Sequence, residues 1–301
     1  MRDVTKRALL STAVLLCGAL LLTGCSSGPD AEATRDAFTE VTEAPENLDG
    51  PDDATEYDAE LHPDPIVEPL ECKPYLVVTG RGTSEPTKGQ LLSPVARSIA
   101  EARPDEVQTL DLDYPANTDV RGGGTQGARV LVDTLNVQTE ECPEQRFVLL
   151  GYSQGALVIG DALSDPEVRV VGELVGEVSQ EALDRILAVV FYGDPRFVGT
   201  EKFAFGDYDP GLNGILPRPP GALDGVADRL RDYCVAGDFV CQSTLEVTEE
   251  PHMYYFTNGM QHDGAAFVIT RLDPPQKKAD DEEKKASEDS RDGEPDSPDA
   301  E

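Results

Sequence analysis

The sequence predicts an α/β fold: a central, mostly parallel, five-stranded sheet flanked by helices. Three observations carry it. Five short apolar runs are rich in β-branched residues, the segments between them show helical spacing, and most of the runs are continuously rather than alternately apolar. Continuity of that kind suits strands buried on both faces, as in a parallel sheet covered by helices. The first run, Tyr75–Thr79, precedes Leu92, Val95 and Ile99, which fall at i, i+3, i+7 on one helical face. The second, Val107–Leu112, precedes Leu131 and Leu135 at i, i+4. The third, Phe147–Tyr152, precedes Ala156, Ile159 and Leu163, again on one face. The fourth, Ile186–Tyr192, leads toward a Gly/Pro-rich stretch from Gly206 to Gly225, expected as a long surface loop, and the fifth is Tyr233–Ala236. No internal repeat is present.

The 301 residues suit one domain with tails. The net charge of −33 is spread unevenly. Residues 25–68 hold 14 acids against Arg35 alone, residues 273–301 hold 12 acids and 5 bases, and residues 69–272 hold 31 acids and 16 bases. The flanks carry few large apolar residues, so burial there cannot offset the entropy of ordering, and they are expected to be disordered. The expected layout is a signal segment over 1–24, an acidic tether over 25–68, a globular domain over 69–272 and an acidic tail over 273–301. Without a basic patch, nucleic acid is an unsuitable partner.

Arg2, Lys6 and Arg7 precede an apolar run from Ala8 to Leu22. That run falls short of the roughly 20 residues of a membrane-spanning helix and suits an export signal. Leu22-Thr23-Gly24-Cys25 resembles the bacterial lipobox. The resemblance implies cleavage before Cys25, a diacylglycerol thioether on it, and anchoring at the outer face of the cell membrane; an ordinary secretory signal or an uncleaved anchor is the alternative. Of six cysteines, Cys17 lies in the signal segment and Cys25 is assigned to lipid. Cys72, Cys142, Cys234 and Cys241 remain, an even number that suggests two disulfides in an exported protein. Three pairings are open. The short Cys234–Cys241 loop favours pairing those two, which leaves Cys72 with Cys142. No cysteine spacing suits a metal site, and no metal or cofactor is expected.

Gly151-Tyr152-Ser153-Gln154-Gly155 lies between an apolar strand and an apolar helix. The pentapeptide alone is a modest signal, but that context suits a nucleophile elbow, a sharp turn that lifts a serine hydroxyl clear of the sheet. Its flanking glycines fit where side chains have no room. Serine needs a base, and histidine suits neutral pH. His62 lies in the tether. His252 and His262 both follow Ser153, as the order Ser, Asp, His requires, and the residues alone favour His252 only slightly. Asp238, inside the Cys234–Cys241 loop, is placed to orient an imidazole. Asp194 follows the strand after the elbow helix, one strand too early, and reads as a turn former. Asp263 adjoins His262, and sequence neighbours seldom point at each other.

From Cys72 to about Val268 the chain resembles the cutinases, small lidless α/β-hydrolases of fungi and actinobacteria. The matching pieces are Arg81-Gly82-Thr83-Ser84-Glu85, the elbow, Cys234-Val235-Ala236-Gly237-Asp238-Phe239-Val240-Cys241, and His252 followed by Tyr255, Gly259 and Met260. The resemblance implies a triad of Ser153, Asp238 and His252, an oxyanion hole at Thr83 and Gln154, and disulfides Cys72–Cys142 and Cys234–Cys241. It implies a serine esterase acting on short to medium acyl esters, cutin or lipid-like esters; a monomer is expected. A carbohydrate deacetylase of the acetylxylan type and an inactive binding protein on the same fold are the alternatives. This chain departs from compact members between the elbow helix and Asp238. An acidic stretch over Asp165–Asp184 and the Gly/Pro loop are the candidates to rim the pocket, and the chain lacks Trp.

Overall fold

The computed structural model describes residues 55–244 and 248–274. In chain order the elements are β1 (Tyr75–Gly80), α1 (Ser93–Ala102), β2 (Val107–Asp111), α2 (Val120–Glu141), β3 (Arg146–Tyr152), α3 (Gln154–Ala162), α4 (Gln180–Arg185), β4 (Ile186–Tyr192), β5 (Ala204–Asp207), β6 (Leu230–Val235), α5 (Phe239–Gln242) and α6 (Met260–Ile269). A 3₁₀ segment, Glu250–Phe256, joins the last two helices. The strands form one sheet in the order β2-β1-β3-β4-β6-β5, parallel throughout.

Six strands stand where the sequence predicted five. The added one, β5, runs beside β6 at the sheet edge, with Ala204 opposite Asp232. It spans four residues, none of them buried, so it leaves no apolar run to recognise. Gly206 and Asp207 of the expected surface loop belong to it.

Alternation along the buried strands divides the core in two. Leu76, Val78, Phe147, Leu149, Val189 and Phe191 face the layer made by α2 and α3. Val77, Val148, Leu150, Val190 and Tyr192 face the layer made by α1 and α6. Strands β1 and β4 are buried at every residue, the signature of a sheet covered on both sides. Each such aliphatic side chain contributes about 1.5–3 kcal/mol by leaving water.

Residues 55–68, expected in the tether, pack as a strap against α2. Arg129 of α2, 1% exposed, donates to the carbonyls of Tyr57, His62 and Asp64 and pairs with Asp133 at 2.7 Å. Asp133 also accepts the Ile66 N–H at 2.9 Å, and Gln138 accepts that of Leu70 at 2.7 Å. A buried guanidinium needs several acceptors, and this N-terminal strap supplies them from its backbone. The Cys72–Cys142 disulfide then ties the strap to the end of α2, and Cys234–Cys241 closes the loop between β6 and α5. Both pairings are the expected ones.

The acidic stretch 165–184 lies over α2 and α3. Val170 and Val171 N–H donate to Asp161, Gly172 N–H to Thr125 and Ser179 N–H to Asn136 Oδ1, while Asn136 Nδ2 donates to Glu177 O. The Gly/Pro loop, by contrast, packs on α5, with Ile215 N–H donating to Val240 O at 3.0 Å. Cys25, the signal segment and most of both acidic flanks lie outside the described residues. Among the described residues no helix is long and apolar enough to cross a membrane.

Candidate active site

From β1 the chain moves outward to β2 on one side, and from β3 to β4 on the other. The crevice at the carboxyl ends of β1 and β3 is therefore the place where open α/β sheets bind ligands. Ser153 stands at that point, directly after β3, with φ at +51°. This is a left-handed conformation that L residues rarely hold, and the turn it makes starts α3. The two flanking glycines are needed for space. A Cβ at Gly155 would lie 1.9 Å from the Gly80 carbonyl oxygen, and one at Gly151 would lie 2.7 Å from Ala156 Cα. The Ser153 N–H donates to Tyr192 O at 2.9 Å, which pins the turn to β4.

The structure brings Ser153, His252 and Asp238 into one hydrogen-bonded chain. His252 Nε2 lies 3.0 Å from Ser153 Oγ. Its Nδ1 lies 2.9 Å from Asp238 Oδ2 and 3.0 Å from Oδ1. The imidazole and carboxylate are buried, at 1% and 0% exposure. With Nδ1–H donating to the carboxylate, the lone pair on Nε2 faces the serine hydroxyl and can take its proton. Asp238 caps α5, its Oδ1 accepting the Val240 N–H at 3.0 Å, so the short helix within the disulfide loop fixes the acid.

Thr83 and Gln154 meet across the crevice, the threonine hydroxyl donating to Gln154 Oε1 at 3.2 Å. The loop that carries Thr83 is held from inside the protein. Arg81 donates to the carbonyls of Leu112, Tyr114 and Pro115. The buried Glu85 carboxylate accepts the Gly82 and Leu91 N–H groups at 2.7 and 2.9 Å.

The rival residues stand elsewhere. Asp194 accepts from Arg218 and from the Arg196 N–H, while Asp238 holds the imidazole's Nδ1. His262 and Asp263 lie exposed on α6, and His62 lies exposed on the strap, its carbonyl accepting from Arg129. Among the described residues no group of three or more His, Cys, Asp or Glu is arranged to hold a metal. Sequence reasoning gave no role to Tyr152, which stacks on His252 at 5.1 Å between ring centroids and donates to the His252 carbonyl at 3.1 Å. It gave none to Glu85 or Tyr255 either; each stood only as a letter in a matching block. Burial drives the phenol pKa of Tyr152 well above its ordinary value, with the charges of Glu85 and Asp238 adding to the effect.

An open parallel sheet, a strained serine at its switch point and a buried Ser–His–Asp chain define a serine hydrolase of the α/β type. The family model described as Cutinase matches residues 71–272. A cutinase of Kineococcus radiotolerans is 32% identical over 199 residues, covering 65% of this chain and 61% of that protein. Acetylxylan esterase 2 of Talaromyces purpureogenus is 30% identical over 205 residues, covering 64% of this chain and 81% of that protein. The catalytic core domain of acetyl xylan esterase from Trichoderma reesei superposes with a TM-score of 0.58 at 24% identity, covering 67% of this chain and all of that one, and bears on the fold alone. The chain belongs to the cutinase family, and its matched domain is a serine carboxylic ester hydrolase.

Proposed function

We propose that the whole protein is an exported serine esterase that cleaves short to medium acyl esters, such as cutin or lipid-like esters, through an acyl-enzyme on Ser153. The observation that carries this is the continuous hydrogen-bonded chain from Ser153 through His252 to Asp238. His252 takes the Ser153 proton as the hydroxyl attacks the ester carbonyl, and Asp238 steadies the resulting imidazolium. The Thr83 hydroxyl, turning its one proton from Gln154 Oε1, and the Gln154 backbone N–H stabilise the oxyanion, which is worth roughly 3–4 kcal/mol per donor in comparable sites. His252 then returns its proton to the leaving alcohol, and water repeats the sequence to release the acid. No step calls for a metal or cofactor.

Two disulfides suit an oxidising compartment, which supports export. A lipid on Cys25 would hold a monomeric enzyme at the outer membrane face; loss of membrane association in Cys25→Ser would support the anchor, and unchanged partition would remove it. The second function, removal of acetyl groups from a decorated polysaccharide, draws on the relatives named acetylxylan esterases. A fluorophosphonate should label Ser153 in the native protein and not in Ser153→Ala. A series of p-nitrophenyl esters alongside acetylated xylan separates the two substrates. A maximum at butyrate or longer supports the lipid-type esterase, acetate-only turnover with release from xylan supports the deacetylase, and an absence of labelling defeats both.

A further inference from the structure

We propose that Tyr255 is a positioning residue for the reaction, a fixed donor that keeps the Asp238 carboxylate aimed at His252. Its hydroxyl donates to Asp238 Oδ2 at 2.8 Å, while the Val240 N–H donates to Oδ1 at 3.0 Å. Each carboxylate oxygen thus carries one donor from the scaffold, and both remain within 3.0 Å of His252 Nδ1. A carboxylate held at both oxygens cannot turn about its own axis, so the imidazole meets one orientation only. Tyr255 is fully buried, and its ring stands edge-on to both His252 and Tyr152. Burial, followed by the negative charge of Asp238, raises the phenol pKa well above its ordinary value, so the hydroxyl keeps its proton to donate. Tyr255 and His252 share the 3₁₀ segment 250–256. The bond therefore ties that segment to α5 without using the imidazole, and the link persists while His252 takes up and releases its proton. Neither the elbow nor the placement of the triad acid assigns Tyr255 this part.

The proposal rests on the hydrolase function above, and its test keeps the two apart. Tyr255→Phe removes one oxygen and leaves the ring. Active sites are counted with a fluorophosphonate, kcat is expressed per labelled site, and the His252 Nδ1 proton is followed by its downfield NMR signal. A hydrogen bond to a charged group is worth enough that kcat should fall about tenfold to a hundredfold with KM little changed. The Nδ1 proton signal should move further downfield, because the carboxylate shares less charge elsewhere. A purely structural tyrosine would lower the number of labelled sites and leave kcat per site and the signal alone. An unchanged kcat per site, or an unmoved signal, would overturn the proposal. Should Tyr255→Phe fail to fold, a ring-fluorinated tyrosine at 255 keeps the shape with a stronger donor and should move the signal the other way; no movement there overturns it equally. Native protein that does not label overturns the hydrolase function and this proposal with it, whereas labelling with native-like turnover in Tyr255→Phe overturns this one alone.

Discussion

Two buried charge clusters sit near the carboxyl ends of the strands, and each contains an aspartate just past a strand. Asp238 follows β6 and faces an imidazole, whose Nε2 can accept a proton while Nδ1–H stays on the carboxylate. Asp194 follows β4 and faces the Arg218 guanidinium, which keeps its protons. Nearby, Asp161 pairs with Arg196 and accepts the Val170 and Val171 N–H groups. Arg218 also donates to Ala156 O and Leu157 O on the elbow helix, at 3.3 and 3.5 Å. The first cluster can pass a proton. The second sets Asp194 and Asp161 against guanidiniums, and through Arg218 it holds α3, the helix behind Ser153. Asp238 and Asp194 are equally buried, so what separates them is the cation or base each faces, which burial alone does not reveal.

The strongest way to break that contrast is to exchange the consequences of the two aspartates. Ser153→Ala should abolish turnover of p-nitrophenyl butyrate, and Asp238→Asn should lower kcat by about 10⁴, both with thermal midpoints close to native. Asp194→Ala should do the reverse. It removes the nearer carboxylate of the buried Arg218 guanidinium and leaves Asp161, 3.8 Å away, as the other, so chemical denaturation should show a loss of about 3 kcal/mol, with kcat per labelled site changed less than tenfold. If Asp194→Ala kept its stability and lost turnover, the division between the clusters would fail.

The disulfides sharpen the contrast at a smaller scale. Chain entropy gives about 4 kcal/mol for the bridge closing the long Cys72–Cys142 loop and about 2 kcal/mol for the short Cys234–Cys241 loop. Paired Ser substitutions should therefore cost more stability at Cys72 and Cys142. The Cys234 and Cys241 pair should cost more activity per folded molecule, because Asp238 stands inside that loop. Denaturant midpoints and site-normalised rates check both.

The smallest effect concerns pH. Burial, with Asp194 close by, raises the Asp232 carboxyl well above its ordinary pKa of 3.8. Protonated, Asp232 leaves Asp161 and Asp194 matched by Arg196 and Arg218. A raised folded pKa stabilises the fold below the ordinary carboxylate range, and that contribution drains away as pH climbs toward the raised value. Asp232→Asn removes the loss. Its thermal midpoint should fall less than the native one between pH 5 and pH 8, by about 2–4 °C for each kcal/mol recovered. Parallel pH curves for the two proteins would show that Asp232 does not titrate across that window.

Local chemistry makes the elbow legible in the sequence. Two glycines, an apolar strand and an apolar helix are all written within a short stretch around Ser153. The choice of Asp238 over Asp194 was legible from strand order, and the choice of His252 over His262 needed the family's block. Strand β5 was not legible, because a four-residue edge strand that buries little has no pattern to display. The strap was hidden for a different reason. Its backbone carbonyls answer one arginine more than sixty residues away, and backbone acceptors leave no mark in composition. Tyr255 stood among the matched letters, yet only the fold turns its hydroxyl onto the acid.

The positive φ of Ser153 sets catalysis against robustness at a single position. Glycine accepts that geometry more readily than any other residue, so Ser153→Gly would relieve the turn while deleting the nucleophile. The inactive variant should melt above the native protein. Selection for heat resistance alone would then drift toward a silent enzyme, and only continued demand for ester cleavage keeps the hydroxyl in place.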